Sequence, residues 1–300
     1  MTGTSNLRSN FRPRQLVPAI LLVAFVGIAS VDTGAGQSTN WAIFIMKVDG
    51  SQVRKLAQVD GCHDHSVPRF SHDGKRVAFD ATAGGNAVRA LYVVNVDGSG
   101  LEKLGGNARP DWSPDDKQVA FDRFPTGGAG EAYVQNLDGE GETLVTSGIS
   151  PRWSPDASGL AVSDRANVRI IDLVSGESRS LFDHDFAEVF NGFSWSPDGK
   201  RLAVVVRPER GKSRELLLVD ARGAAQGMTK RWRGEMGGHV SFSPDGKKLV
   251  FADALKMRIV DVEGDDQPRL LPGQAGTKNK HPCWSPDGQW IVFSSDRSGP

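Results

Sequence analysis

The chain has 300 residues, with 36 basic and 36 acidic side chains and two cysteines. A formal charge of zero excludes a protein built to coat nucleic acid or an anionic membrane. Two cysteines cannot make a disulfide-dense scaffold or a Cys-rich zinc module. Hydrophobic residues at 38% and charged residues at 24% suit a globular chain, and 35 glycines with 16 prolines promise many turns between short strands.

The first element is an address. Arg8, Arg12 and Arg14 stand in a stretch without acids, an apolar run follows from Leu16 to Ala29, and small residues come next through Ala35 and Gly36. This is the order of a secretory signal peptide, expected over residues 1–36. The run is too short for a spanning helix, which needs about 20 apolar residues. Removing 1–36 leaves 33 basic and 35 acidic residues, a net charge of −2. The mature chain is therefore expected to be periplasmic or secreted, without a membrane span.

A repeat organises the remainder. A short segment recurs six times: Phe70 to Gly74, Trp112 to Asp116, Trp153 to Ala157, Trp195 to Gly199, Phe242 to Gly246 and Trp284 to Gly288. The anchor serines Ser71, Ser113, Ser154, Ser196, Ser243 and Ser285 are spaced by 42, 41, 42, 47 and 42 residues. Ser-Pro-Asp-Gly suits a tight turn, because Pro presets φ, Asp bonds nearby backbone and Gly accepts positive φ. A β run follows each turn (Val77 to Phe79 in the first copy), then a third (Leu91 to Val94), an Asp-Gly hairpin signal (Asp97, Gly98) and a short fourth run (Leu101 to Leu104). Four strands in about 42 residues is one propeller blade.

The two ends complete the count. After Ser285 only 15 residues remain, and before Ser71 there is half a unit, with Ala42 to Met46 and Val53 to Leu56 as its strands. The expected fold is therefore all-β: one six-bladed β-propeller of four-stranded antiparallel blades over residues 37–300. N-terminal outer strands would complete the C-terminal blade and leave no unpaired interior edge.

The Ser-Pro-Asp-Gly-Lys repeat with its downstream Asp-Gly turn resembles the TolB-like propeller family, also known as WD40-like or PD repeats, over residues 41–300. TolB carries an N-terminal α/β domain before its propeller, and no such domain is expected here. The resemblance implies an extracytoplasmic propeller that binds a protein or peptide at one mouth of its channel. Related repeats also precede the hydrolase domain of prolyl-peptidase-like enzymes.

Alternation along the innermost strand sorts the candidate residues. Those one and three before each anchor serine, among them Trp112 and Pro110, are read as packing between blades. Those two before (Arg69, Asp111, Arg152, Ser194, Ser241, Cys283) and four before (Val67, Arg109, Ser150, Gly192, His239, His281) are expected to face the channel or its mouth. Arg69, Arg109 and Arg152 offer an anion or peptide-carboxylate site, since guanidinium forks suit carboxylates. The other reading is a water-filled, hydrogen-bonded tunnel.

Cys62 and Cys283 fall at the two chain ends that the last blade must join. A disulfide, a metal site from His63, His65 and His281, and two free thiols are the alternatives. Blade 4 carries extra length and two basic stretches, read as loops. There Arg231, Trp232 and Arg233 form a candidate partner contact, because Trp and Arg dominate interface hot spots. The sequence holds no Gly-x-Ser-x-Gly elbow, phosphate loop or His-Glu-x-x-His. The leading reading is a non-catalytic, monomeric binding module for an envelope or secreted protein or peptide, with no cofactor and no nucleic acid. The alternative is a lyase- or hydrolase-type propeller enzyme with a channel-mouth His/Arg site.

Overall fold

The computed structural model describes residues 40–83, 89–105, 108–125, 128–223, 228–264 and 267–298. The segment read as a signal peptide lies outside them. The described residues form six antiparallel sheets and no helix, the all-β six-bladed propeller. Blade 1 runs outward through Cys62–Phe70, Arg76–Ala83, Arg89–Asn95 and Glu102–Gly105. Blades 2, 3 and 5 repeat this order from inner strands Ala108–Trp112, Ile149–Trp153 and Met236–Phe242. In blade 4 the inner strand is broken into Glu188–Val189 and Ser194–Trp195, both paired with Arg201–Arg207. The sixth sheet orders Arg54–Ala57, Ala42–Lys47, Trp290–Ser295 and Asn279–Trp284, and Phe44 stands opposite Phe293.

The serine of each repeat builds the turn that starts its blade. In all six copies its hydroxyl donates to the Asp two residues on, at 2.5–2.7 Å. The same hydroxyl accepts the backbone N–H five residues on, at 2.9 Å. The turn aspartates are thereby consumed. Asp73, Asp115, Asp156, Asp198 and Asp245 are held below the usual carboxylate range chiefly by the serine hydroxyl.

The turn's fourth residue is left-handed in every copy, and in blade 3 it is Ala157, at φ 60°. An L side chain there costs about 1–2 kcal/mol. Ala157→Gly should therefore raise unfolding stability by about 0.5–1 kcal/mol despite glycine's greater entropy loss. Urea melts of the two proteins check this.

Between blades the repeat aromatics do the packing. Trp112 joins Ala78, Leu91 and Val93 of blade 1, Phe242 joins Ala203 and Val205 of blade 4, and Trp284 joins Val250, Met257 and Ile259 of blade 5. The indole Nε1 of Trp112 donates to the Arg69 carbonyl at 3.0 Å, and that of Trp195 to the Arg152 carbonyl at 3.3 Å. Each such bond ties one blade to its predecessor.

Candidate functional site

The inner strands carry a shared irregularity. In blades 1, 2, 3 and 6 the pairing with the second strand slips by one residue, between Ser66 and Arg69, Ala108 and Asp111, Ile149 and Arg152, and Lys280 and Cys283. The residue inside each slip is Val67, Arg109, Ser150 or His281, with φ of 50°, 55°, 55° and 56°. These are β-bulges with a non-glycine residue in the left-handed region, a conformation that stores strain. Blade 4 has Gly192 at this position, where a Cβ would lie 1.8 Å from the Gly238 carbonyl oxygen. Backbone of blades 4 and 5 thus approaches closely where the other blades bulge.

All six residues two before the anchor serines line one cavity of about 330 Å³ on the Ser-Pro-Asp-Gly side of the ring. Three of them lock neighbouring blades together. Asp111 accepts the Trp153 backbone N–H at 2.8 Å, Ser194 that of Phe242 at 3.2 Å and Ser241 that of Trp284 at 3.2 Å. Of the other three, Cys283 donates from Sγ to the Trp284 carbonyl at 3.5 Å, and the two arginines remain. Arg152 donates from Nη1 to the Pro151 carbonyl at 2.7 Å, while its Nε and Nη2 and the Nε and Nη2 of Arg69 have no partner among the described residues. Both side chains are more than nine-tenths buried. Burial, then the neighbouring Arg69 charge, pushes Arg152 down to about 9. Two buried guanidiniums with unmatched donors thus stand at the cavity wall, the kind of group that can donate to an anion.

Deeper in, His239 and His281 meet edge to face, with ring centroids 4.1 Å apart. His281 accepts the Val67 N–H on Nδ1 at 3.3 Å, and neither ring nitrogen of His239 has a partner among the described residues. Burial holds both imidazoles well below their usual range.

Arg109 belongs to a different place from Arg69 and Arg152. Its Nε donates to Asp122 at 2.6 Å, and it lines a second cavity of about 550 Å³ with Arg89 and Arg165. The three arginines read together from the sequence are therefore divided between two cavities. Asp80, Asp122 and Arg89 were missed by sequence reasoning. Asp80 and Asp122 both stand nine residues after their anchor serines, where other blades hold Ser163, Val205, Ala252 and Ser294. That acidic exception was the available signal.

Asp80 is fully buried with Arg89 Nη1 at 3.4 Å, and burial raises its carboxyl to about 6. The folded protein therefore holds a proton between about pH 4 and 6 that the unfolded chain has released. Ionising Asp80 withdraws stability as pH rises through that window, by about 3 kcal/mol. His239 and His281 act oppositely: kept neutral when folded, they withdraw stability as pH falls below about 6.5. Asp80→Asn should match the parent near pH 4 and exceed it in stability by about 3 kcal/mol at pH 7.5. Denaturant melts across this range check the crossover.

The remaining predicted residues lie elsewhere. Cys62 and Cys283 are both free thiols. Cys62 opens the inner strand of blade 1, seven residues before Arg69, which is the counterpart of Cys283 in the repeat. That is about 20 Å of strand, whereas a disulfide needs Cα atoms within about 7 Å. His63 is exposed, and buried His65 accepts the Val59 N–H on Nε2 at 2.7 Å. Among the described residues no three His, Cys, Asp or Glu side chains gather to hold a metal.

The expected loop with Arg231, Trp232 and Arg233 is instead the outer strand of blade 4, Met228–Gly234. Trp232 stands opposite Leu216 and is buried among Leu218, Met236 and Val240, so it is core and not a partner contact. Arg233 is exposed and pairs with Glu215 at 2.9 Å, and the Arg231 side chain lies outside the described residues.

Comparison with known proteins adds the following. No model of a known protein family matches the sequence. The chain is 32% identical to an uncharacterised protein of Agrobacterium fabrum over 138 residues, which covers 43% of this chain and 44% of that protein. It is 29% identical to an uncharacterised peptidase, YuxL, of Bacillus subtilis over 136 residues, covering 44% of this chain and 19% of that protein. The chain thus matches less than half the length of either relative. Among solved structures, TolB from Acinetobacter baumannii superposes with a TM-score of 0.58 at 17% identity, covering 88% of this chain and 65% of that one. A putative TolB from Agrobacterium tumefaciens reaches 0.64 at 22% identity, covering 87% of this chain and 99% of that one. The chain therefore has the six-bladed β-propeller fold seen in TolB structures.

Proposed function

We propose that this protein is an extracytoplasmic, non-catalytic propeller that binds a protein or peptide by seating a carboxylate at the Ser-Pro-Asp-Gly mouth of its channel. The observation that carries this reading is the pair Arg69 and Arg152, buried at the cavity wall with donors unmatched by protein acceptors. Residues 1–36 support the compartment, and the TolB-like fold supports the binding class. Fold alone does not decide function, so the mouth chemistry bears the weight. Short fluorescent peptides ending in a free carboxylate test it. Arg152→Met and Arg69→Gln should each weaken binding at least tenfold, and amidating the peptide should do the same. Unchanged affinity in all three comparisons refutes the reading.

A second reading, a propeller enzyme of lyase or hydrolase type, rests on the neutral His239 and His281 pair, which has the protonation state of a general base. It requires a substrate whose turnover disappears in His239→Gln while peptide binding persists.

A further inference from the structure

The channel mouth does not end at the ring of inner strands. A third cavity, of about 640 Å³, lies between blades 3 and 4, and it shares Pro155, Trp195 and Pro197 with the mouth cavity. Both volumes fall in the range of ligand clefts, about 300–1,000 Å³. Together they make a bent track, with the buried Arg69 and Arg152 at its inner end and the blade 3–4 groove leading outward. Half-buried Trp195 stands at the junction.

The charge reverses along this track. The outer groove is lined by four carboxylates, Asp156, Asp172, Glu177 and Asp198, and by two guanidiniums, Arg179 and Arg222. Arg222 is chelated by Asp220 at 2.7 Å, and Arg179 donates to the Ala221 carbonyl at 2.6 Å. Asp156, Asp172 and Asp198 already accept turn hydrogen bonds but keep their negative charge, below the usual carboxylate range. Among the described residues no side-chain hydrogen bond or ion pair engages Glu177, which is exposed. The groove is net acidic, and the cavity at its end is cationic.

Resting on the carboxylate-binding reading above, we infer the polarity of the ligand. It is an extended peptide segment whose terminal or acidic carboxylate sits against Arg69 and Arg152. The residues just before that carboxylate lie in the blade 3–4 groove and carry Lys or Arg. Charge complementarity selects this occupant: an acidic approach segment would meet four carboxylates against two already engaged guanidiniums, and a neutral one would leave the excess negative charge unanswered.

The experiment uses the full chain and three fluorescent hexapeptides. One has lysines before a free carboxylate, one has glutamates before a free carboxylate, and one is the lysine peptide amidated at its end. The lysine peptide should bind at least tenfold tighter than the glutamate peptide at low salt. Glu177→Gln should narrow that ratio about threefold, and raised salt should narrow it further. Amidation should weaken the lysine peptide in both proteins. Equal affinity for the lysine and glutamate peptides, with amidation still weakening the lysine peptide, overturns the groove assignment and leaves the carboxylate site standing. If amidation has no effect, or no peptide binds at millimolar concentration, both fall.

Discussion

Replacing Arg152 by Met should make the protein more stable, by about 1–4 kcal/mol, while removing its affinity for carboxylate ligands. Arg152 is 3% exposed, has no carboxylate in ion-pair contact among the described residues, and is repelled by Arg69 more than it is attracted by Asp111 across the same cavity. Burial and that repulsion lower it to about 9, so the fold carries a charge that its surroundings disfavour. Methionine keeps the length and apolar stem and forfeits chiefly the bond to the Pro151 carbonyl, worth about 1 kcal/mol. Stability gained together with binding lost is the mark of a residue retained for function. The urea midpoint should rise with its slope unchanged. A destabilised Arg152→Met protein would make this arginine an architectural member of the ring.

The blade count, the serine-centred turns and the ring of residues at the Ser-Pro-Asp-Gly mouth were all legible in the sequence, because each rests on a local rule repeated six times. The two-residue alternation correctly placed Arg69, Asp111, Arg152, Ser194, Ser241 and Cys283 around one cavity. It failed one step further up the strand. The bulges at Val67, Arg109, Ser150 and His281 insert a residue that the alternation does not count, and Arg109 turns to Asp122 instead of joining Arg69. A bulge forms where curvature of the inner strand demands it, and the side chain it re-aims carries no local signature. Trp232 failed for a different reason. Its flanking charges hid an alternating pattern, with exposed Arg233 beside buried Trp232, that belongs to an edge strand. The same strand explains part of the 47-residue spacing: blade 4 has seven-residue strands at Arg201–Arg207, Arg214–Asp220 and Met228–Gly234.

Trp112→Ala should cost about 3–5 kcal/mol of stability, the range for deleting a large buried aromatic. The ring is 1% exposed, lies between blades 1 and 2, and carries the Arg76 guanidinium 4.8 Å from its centroid. Neighbouring blades are already fixed by their own sheets, so little can collapse into the space. The indole also donates to the backbone carbonyl of Arg69, the residue whose side chain faces the mouth cavity. Two effects then separate by substitution. Trp112→Phe retains most of the apolar body but leaves the Arg69 carbonyl without its donor, a loss of about 1–2 kcal/mol. If that bond positions Arg69, the Phe variant should weaken carboxylate-peptide binding several-fold even though it remains folded. Trp195→Phe provides the counterpart at Arg152, through the longer 3.3 Å bond, and should have the smaller effect on both measurements. Equal binding by parent and both Phe variants would confine these tryptophans to packing, with the mouth arginines held by the strand backbone alone.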